Sequence, residues 1–124
     1  MSNKSKRKEA LGVKNYIRYV KQRVKILRLK GINVSDNQIN YFDALNKSID
    51  VYMSEHKLFV KYLIGKIKYE EVKTILGISD RQVFRYLSRQ RKLLIEYITA
   101  KEIELFAKFP YEEENFIMEN ENER

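Results

Sequence analysis

Between Arg81 and Lys92 the chain carries five basic side chains and no acid: Arg81, Arg85, Arg89, Arg91 and Lys92. Guanidinium groups make and break no covalent bonds by themselves. They donate paired hydrogen bonds to groups that offer two acceptors side by side: carboxylates, phosphates and the major-groove edge of guanine. Gln82 adds an amide that pairs with adenine, and Ser88 a hydroxyl that accepts either partner. The chemistry on offer is recognition of a polyanion.

Other reactive types are sparse. Cysteine is absent and His56 is the single histidine, which excludes thiolate metal sites and leaves no histidine pair. His56 lies on an apolar stripe and reads as a packed core or boundary side chain. Asp36, Asp43 and Asp50 recur at sevens on one helix flank, with neither pocket nor partner groups for acid–base work, so they read as a solvated face. Nine Tyr and six Phe could stack on single-stranded bases. Most of them fall on the apolar stripes described below, where core packing explains them better. Phe84 and Tyr86 flank the basic stretch, and each either touches a thymine methyl or covers the core edge. There is no Gly-rich phosphate loop and no nucleophile–base pair. The expectation is a binding protein, not an enzyme, with no catalytic residue, metal or cofactor.

Charge distribution strengthens the polyanion reading. Residues 1–30 carry eleven Lys/Arg against Glu9 alone, and residues 110–124 carry six Glu against Arg124 alone. The net charge is +8. A basic arm plus a local basic cluster suits phosphate neutralisation with release of counterions. With 44% hydrophobic and 34% charged residues the chain is globular in composition. No apolar run is long enough for a membrane span, and the start resembles no signal peptide, so the expected location is the cytoplasm, in association with the nucleoid. For a phage-encoded protein that is the host cytoplasm.

The elements that position these residues are helical. One Pro and four Gly leave few breaks. Val13, Ile17, Val20, Val24 and Leu27 alternate spacings of four and three, predicting a basic helix over 9–30 that ends at Gly31. Ser35-Asp36-Asn37-Gln38 has capping-box spacing and opens a second helix. Its stripe runs through Phe42, Leu45, Ile49, Tyr52, His56, Phe59 and Leu63, either as one helix over 36–64 or as two divided near Ser54. Short helices follow at 69–76 and from Asp80. The last runs to 108, unbroken or restarted at the capping box Thr99-Ala100-Lys101-Glu102, and Pro110 ends it. The predicted organisation is an all-α helical bundle: a basic arm and N-terminal helix (1–34), a helical core (35–109) and an acidic tail (110–124).

Within the core, residues 69–91 have a helix-turn-helix layout. Val72 and Leu76 face inward on the first helix, Gly77 permits a tight turn at positive φ, and Ile78 plugs the hinge. Ser79 or Asp80 caps the second helix, and Val83 and Leu87 lock it to the core. At about 100° per residue, Arg81, Arg85, Ser88 and Lys92 then lie within about 40° of the face opposite Val83, with Arg89 and Gln82 on its flank. A helix of this kind fits the major groove.

The stretch from His56 to Leu94 resembles the C-terminal promoter-reading domain of bacterial sigma factors, region 4 of the sigma-70 class. An aromatic-rich helix ends at Gly65, Tyr69-Glu70-Glu71-Val72 opens the next, and Leu76-Gly77-Ile78-Ser79 forms the turn. The Arg-rich run Ser88-Arg89-Gln90-Arg91-Lys92 follows. Nothing upstream resembles the sigma-factor parts that melt promoters or grip the polymerase core. In size and layout the chain is similar to phage and prophage late-gene regulators of the ArpU and RinA type. Lys73 departs from the pattern, which usually has a small residue there. If it is buried, its stem must snorkel out to solvent.

The resemblance implies sequence-specific binding of double-stranded DNA and regulation of transcription. In that reading Arg81, Gln82, Arg85 and Ser88 read bases, while Lys66, Lys68, Arg89, Arg91 and Lys92 hold phosphates. RNA polymerase is a further candidate partner. So is a second copy of the chain, because the spacing Leu87, Leu94, Ile98, Leu105 suits a dimer seam. The rivals are a DNA-packaging module resembling a phage small terminase subunit, and a protein-interaction adaptor that keeps a sigma-like fold without using DNA.

Overall fold

The computed structural model describes residues 12–112, which form five helices joined by short turns, with no strand among them. They are α1 (Val13–Leu29), α2 (Asp36–Ser54), α3 (Lys57–Leu63), α4 (Tyr69–Leu76) and α5 (Asp80–Lys108). The N-terminal arm and the residues after Glu112 lie outside the described residues, as does the start expected for the first helix at 9.

Each boundary has a local cause. At the end of α1 the chain passes through Gly31 at φ 77°, and the Ile32 N–H reaches back to the Leu27 carbonyl at 3.0 Å. This closes the helix by a left-handed cap. Ser35 and Gln38 form the expected box at the start of α2. The Gln38 N–H donates to Ser35 Oγ at 3.1 Å, and the Ser35 N–H donates to Gln38 Oε1 at 3.0 Å.

The 36–64 stretch is two helices, and the break is made by His56 rather than by a serine cap. Ser54 is the last residue of α2, and its hydroxyl donates back to the Val51 carbonyl at 2.7 Å. His56 leaves helical geometry at φ −131°, stacks on Tyr52 with ring centroids 4.0 Å apart, and donates from Nδ1 to the Tyr52 carbonyl at 2.8 Å. That bond is a second one to a carbonyl that already accepts from the Glu55 N–H at 3.1 Å. By contrast, α5 continues through Thr99 without a restart. The stripe Val83, Leu87, Leu94, Ile98, Leu105 is buried along its whole length, so packing holds the helix straight through the internal capping signal.

α2 is the central element. It packs against α1 on one side and the C-terminal part of α5, the longest helix among the described residues, on the other, while α4 packs on α5 and α3 links α2 to α4. Val20 and Leu27 of α1, Tyr41, Leu45 and Ile49 of α2, Phe59 of α3, Val72 of α4, and Val83, Leu94 and Ile98 of α5 are almost completely buried. Tyr16 of α1 donates a hydrogen bond to the buried carboxylate of Glu102 on α5. Tyr97 on α5 donates to the Ser48 carbonyl of α2 at 3.1 Å and packs its ring 4.6 Å from that of Tyr52.

Three expectations change. The residues suited to a dimer seam, Leu87, Leu94, Ile98 and Leu105, are all spent on the chain's own core, so none of them is available to a second copy. Leu76 is 37% exposed and only Val72 faces fully inward from α4, because a two-turn helix offers a single position at the centre of its contact. The core also reaches past residue 109. Tyr111 packs against Tyr41, Phe42 and Phe106 at ring distances of 5.2, 6.0 and 5.1 Å, and Asn37 donates to the Pro110 carbonyl at 2.6 Å.

Gly77 joins α4 to α5 at φ 65° and ψ 42°, the left-handed region. A Cβ there would meet no atom within 4 Å, so a side chain costs backbone strain alone. Gly77→Val is expected to lower stability by ~1–3 kcal/mol, and Leu87→Ala by ~2–5 kcal/mol through the cavity it leaves. Denaturant unfolding of the two variants checks both values. Unchanged midpoints would mean that neither the turn nor the α5 stripe bears on stability.

Candidate nucleic-acid interface

The connection between α4 and α5 is held at Asp80. Ser79 caps α5: its Oγ accepts from the Gln82 N–H at 3.3 Å, and its own N–H donates to Gln82 Oε1 at 2.9 Å. From α4, the Tyr69 hydroxyl donates to the Asp80 carbonyl, and Lys73 Nζ lies 3.0 Å from Asp80 Oδ1. Ile78 packs against the core between the two helices. Ser79 and not Asp80 is therefore the cap, and the Asp80 carboxylate is committed to Lys73.

Lys73, the departure from the resemblance noted above, is half-buried, with its stem along the helix and its ammonium at the turn. The hydrogen bond it donates to Asp80, and then the charge of that carboxylate, hold the Lys73 ammonium above the usual lysine range. A raised pKa stabilises the fold wherever lysine is charged. The bridge is thus intact at neutral pH and is lost only as pH climbs through the raised value. Both partners face solvent, so the pair orients the turn more than it stabilises it.

With Val83 and Leu87 turned inward, the opposite face of the first three turns of α5 is open. Arg81, Gln82, Arg85, Ser88, Arg89, Arg91 and Lys92 are all exposed. None of the five basic groups has an acidic partner among the described residues, and the acids nearest in sequence, Asp80 and Glu96, lie outside the run. Lys66 and Lys68 belong to the connection between α3 and α4 and not to α5. They too are exposed without an acidic partner, and the Lys68 N–H is taken by Glu71 Oε1 at 2.9 Å. The long α5 therefore presents a cationic strip, and the two lysines stand on a separate turn.

Gln82 does not stand free for recognition as Arg85 does. Its side-chain oxygen accepts from the Ser79 N–H, and paired recognition of adenine needs that oxygen as acceptor and the amide NH₂ as donor. An adenine contact would have to share the oxygen or open the cap. The signal was present in the sequence: Ser79-Asp80-Arg81-Gln82 repeats the Ser-x-x-Gln spacing of Ser35 to Gln38.

The two aromatic residues beside the strip differ. Tyr86 packs against the core, where burial pushes its phenol up from the ordinary range. Phe84 is 66% exposed. Farther along α5, Ser88, Arg91, Lys92, Ile95, Thr99 and Ile103 line a shallow surface about 730 Å³ in volume. Every lining residue belongs to α5, so this is the outer side of one helix and not a cleft that could enclose a substrate.

His56 is engaged with Tyr52, as a boundary histidine would be. Asp43 pairs with Lys47 at 3.1 Å and Asp50 with Lys21 at 2.8 Å, so the carboxylates at sevens form a solvated, charge-paired flank. Among the described residues no three His, Cys, Asp or Glu side chains gather as a metal site would require, and no helix is long and apolar enough to cross a membrane. In comparisons with protein families, curated proteins and solved structures, nothing matches the chain.

The double use of Gln82 gives a sharp expectation. Ser79→Ala should cost ~0.5–2 kcal/mol and Gln82→Ala a smaller part of that range, each by leaving a backbone N–H uncapped. Gln82→Glu should hold full stability, since a carboxylate keeps the acceptor and suits the positive end of the helix. Thermal melts of the three variants decide it. A Gln82→Glu protein as unstable as Gln82→Ala would remove the box from the account.

Proposed function

We propose that the chain is a sequence-specific, double-stranded-DNA-binding transcription regulator, and not an enzyme. It uses α4 and α5 as a helix-turn-helix and lays the start of α5 in the major groove. The observation that carries the reading is the exposed cationic strip of α5, unneutralised within the described residues, on a helix whose orientation is held by Gly77, Ser79 and the two contacts to Asp80. Like charges crowded on one face repel, and a polyanion relieves that cost while releasing counterions. The resemblance to the promoter-reading domain of sigma factors points to promoter DNA, with RNA polymerase as a further partner and phage or prophage late-gene regulators as the similar proteins.

Arg81, Arg85 and Ser88 are assigned to bases, with Gln82 contributing only if its cap shares the oxygen. Arg89, Arg91 and Lys92 pass out toward the backbone farther along the helix and are assigned to phosphates, together with Lys66 and Lys68 from the preceding turn.

One observation favours a second reading. Ile103 is 68% exposed on the outer side of the second half of α5, a position that an assembling DNA-packaging module would cover with another subunit. Sedimentation separates the two: a monomer or dimer fits the regulator, a large closed ring the packaging module.

The main test is binding to a selected duplex over a salt series. Affinity should fall by about 0.9 log unit per log unit of salt for each of roughly four to eight phosphate contacts. Arg85→Ala should remove ~1–3 kcal/mol of discrimination at one base pair. The double change Arg91→Ala and Lys92→Ala should weaken specific and random duplexes alike and flatten the slope by about two units. A slope near zero would end the DNA reading. Wild-type duplex binding by Arg85→Ala with loss of activity in cells would favour the protein adaptor.

A further inference from the structure

Phe84 is the one large apolar side chain that α5 turns to solvent between Arg81 and Lys92. It takes part in none of the ring–ring or cation–ring contacts of the described residues, whereas its neighbour Tyr86 is spent on the core. At about 100° per residue it lies roughly 60° from Arg81 and 40° from Ser88 around the helix, on the side that carries the cationic strip. The Phe84 ring lies outside the buried core of this fold and makes no conventional hydrogen bond. A DNA-contacting surface has a use for it, because the apolar feature in the major groove is the C5 methyl of thymine.

We infer that Phe84 is a specificity residue that selects thymine through its methyl group, at a position beside those read by Arg81, Arg85 and Ser88. The inference rests on the DNA-binding reading above. It commits to duplex DNA as the occupant for a reason of charge. From Arg81 to Ile95 there is no acidic residue, so whatever covers the ring must also accept an uninterrupted row of cations.

The test uses the full chain and a duplex selected from a random library. Each thymine of the selected site is replaced in turn by uracil, which removes the methyl and nothing else. The wild-type protein should lose about fourfold in affinity at one thymine, the equivalent of ~0.8 kcal/mol for one buried carbon group. Phe84→Ala should lose a similar factor on the thymine duplex and become indifferent to uracil there. Phe84→Leu should keep part of the preference. All three proteins should melt alike, since the ring is not part of the core. Salt-dependent binding with no uracil-sensitive thymine, or with a sensitivity that Phe84→Ala retains, overturns the assignment of Phe84 and leaves the DNA reading standing. Absence of binding to any duplex overturns both, and the exposed ring would then belong to a protein contact.

Discussion

A helix can bury only one stripe of its surface, and in α5 that stripe is continuous from Val83 to Leu105. The helix has 29 residues, roughly 43 Å at 1.5 Å per residue. Its first half is held by α4 and its second half by α2. Because the inward stripe is uninterrupted, the outward one is as well. The latter changes character along its length, from Arg81, Arg85 and Lys92 to Ile95 and Ile103. Whatever the protein does with α5 is constrained by that burial, since a rotation exposing another face would uncover Val83, Leu94 and Ile98 together. Each is a residue whose removal from water is worth on the order of 1.5–3 kcal/mol.

Burial fixes rotation about the helix axis but not the angle at which α5 leaves α4. That angle is set by a polar cluster on one turn. Tyr69 and Lys73 grip the carbonyl and the carboxylate of Asp80, while Ser79 and Gln82 close the helix end. Individually these contacts are solvent-exposed and weak. Together they engage Tyr69, Lys73, Ser79, Asp80 and Gln82 with partners on the turn, while the arginines that follow have no acidic partner among the described residues. The same economy explains Lys73. A lysine there gives the Asp80 carboxylate a partner at 3.0 Å, which a small residue could not.

The N-terminal helix is fastened to this spine rather than trailing from it. Lys21 reaches Asp50 on α2, and Tyr16 donates to Glu102 deep in the contact with α5. A buried carboxylate is tolerated only with hydrogen-bond donors, so the phenol of Tyr16 is part of what makes Glu102 admissible in an otherwise apolar stripe. The aromatic group of Tyr41, Phe106 and Tyr111 seals the opposite end, where Pro110 turns the chain back onto the start of α2.

Residue types and spacing alone determine a good deal of this. The helical class, the stripes of α1, α2 and α5, the Ser35 box, the left-handed turn at Gly77 and the exposure of Arg81, Arg85 and Lys92 are all local or periodic properties. They follow from 3.6 residues per turn and from backbone energetics that a single stretch of chain expresses on its own. Other features depend on what a distant segment supplies. The break in the 36–64 stripe is the exception, because His56 meets the carbonyl and ring of Tyr52 only four residues away, where Ser54 had the more legible signal. Whether Thr99 restarts a helix is decided by α2, because the packing of Ile98 and Leu105 outweighs a capping box. The stripe through Leu87 and Leu94 carries the same spacing for an internal core as for a dimer seam. Tertiary packing alone says that it is already covered. The same holds for the aromatic pair beside the basic strip: Phe84 and Tyr86 are equivalent in the sequence, and only the position of the core relative to α5 sends one inward and leaves the other in water.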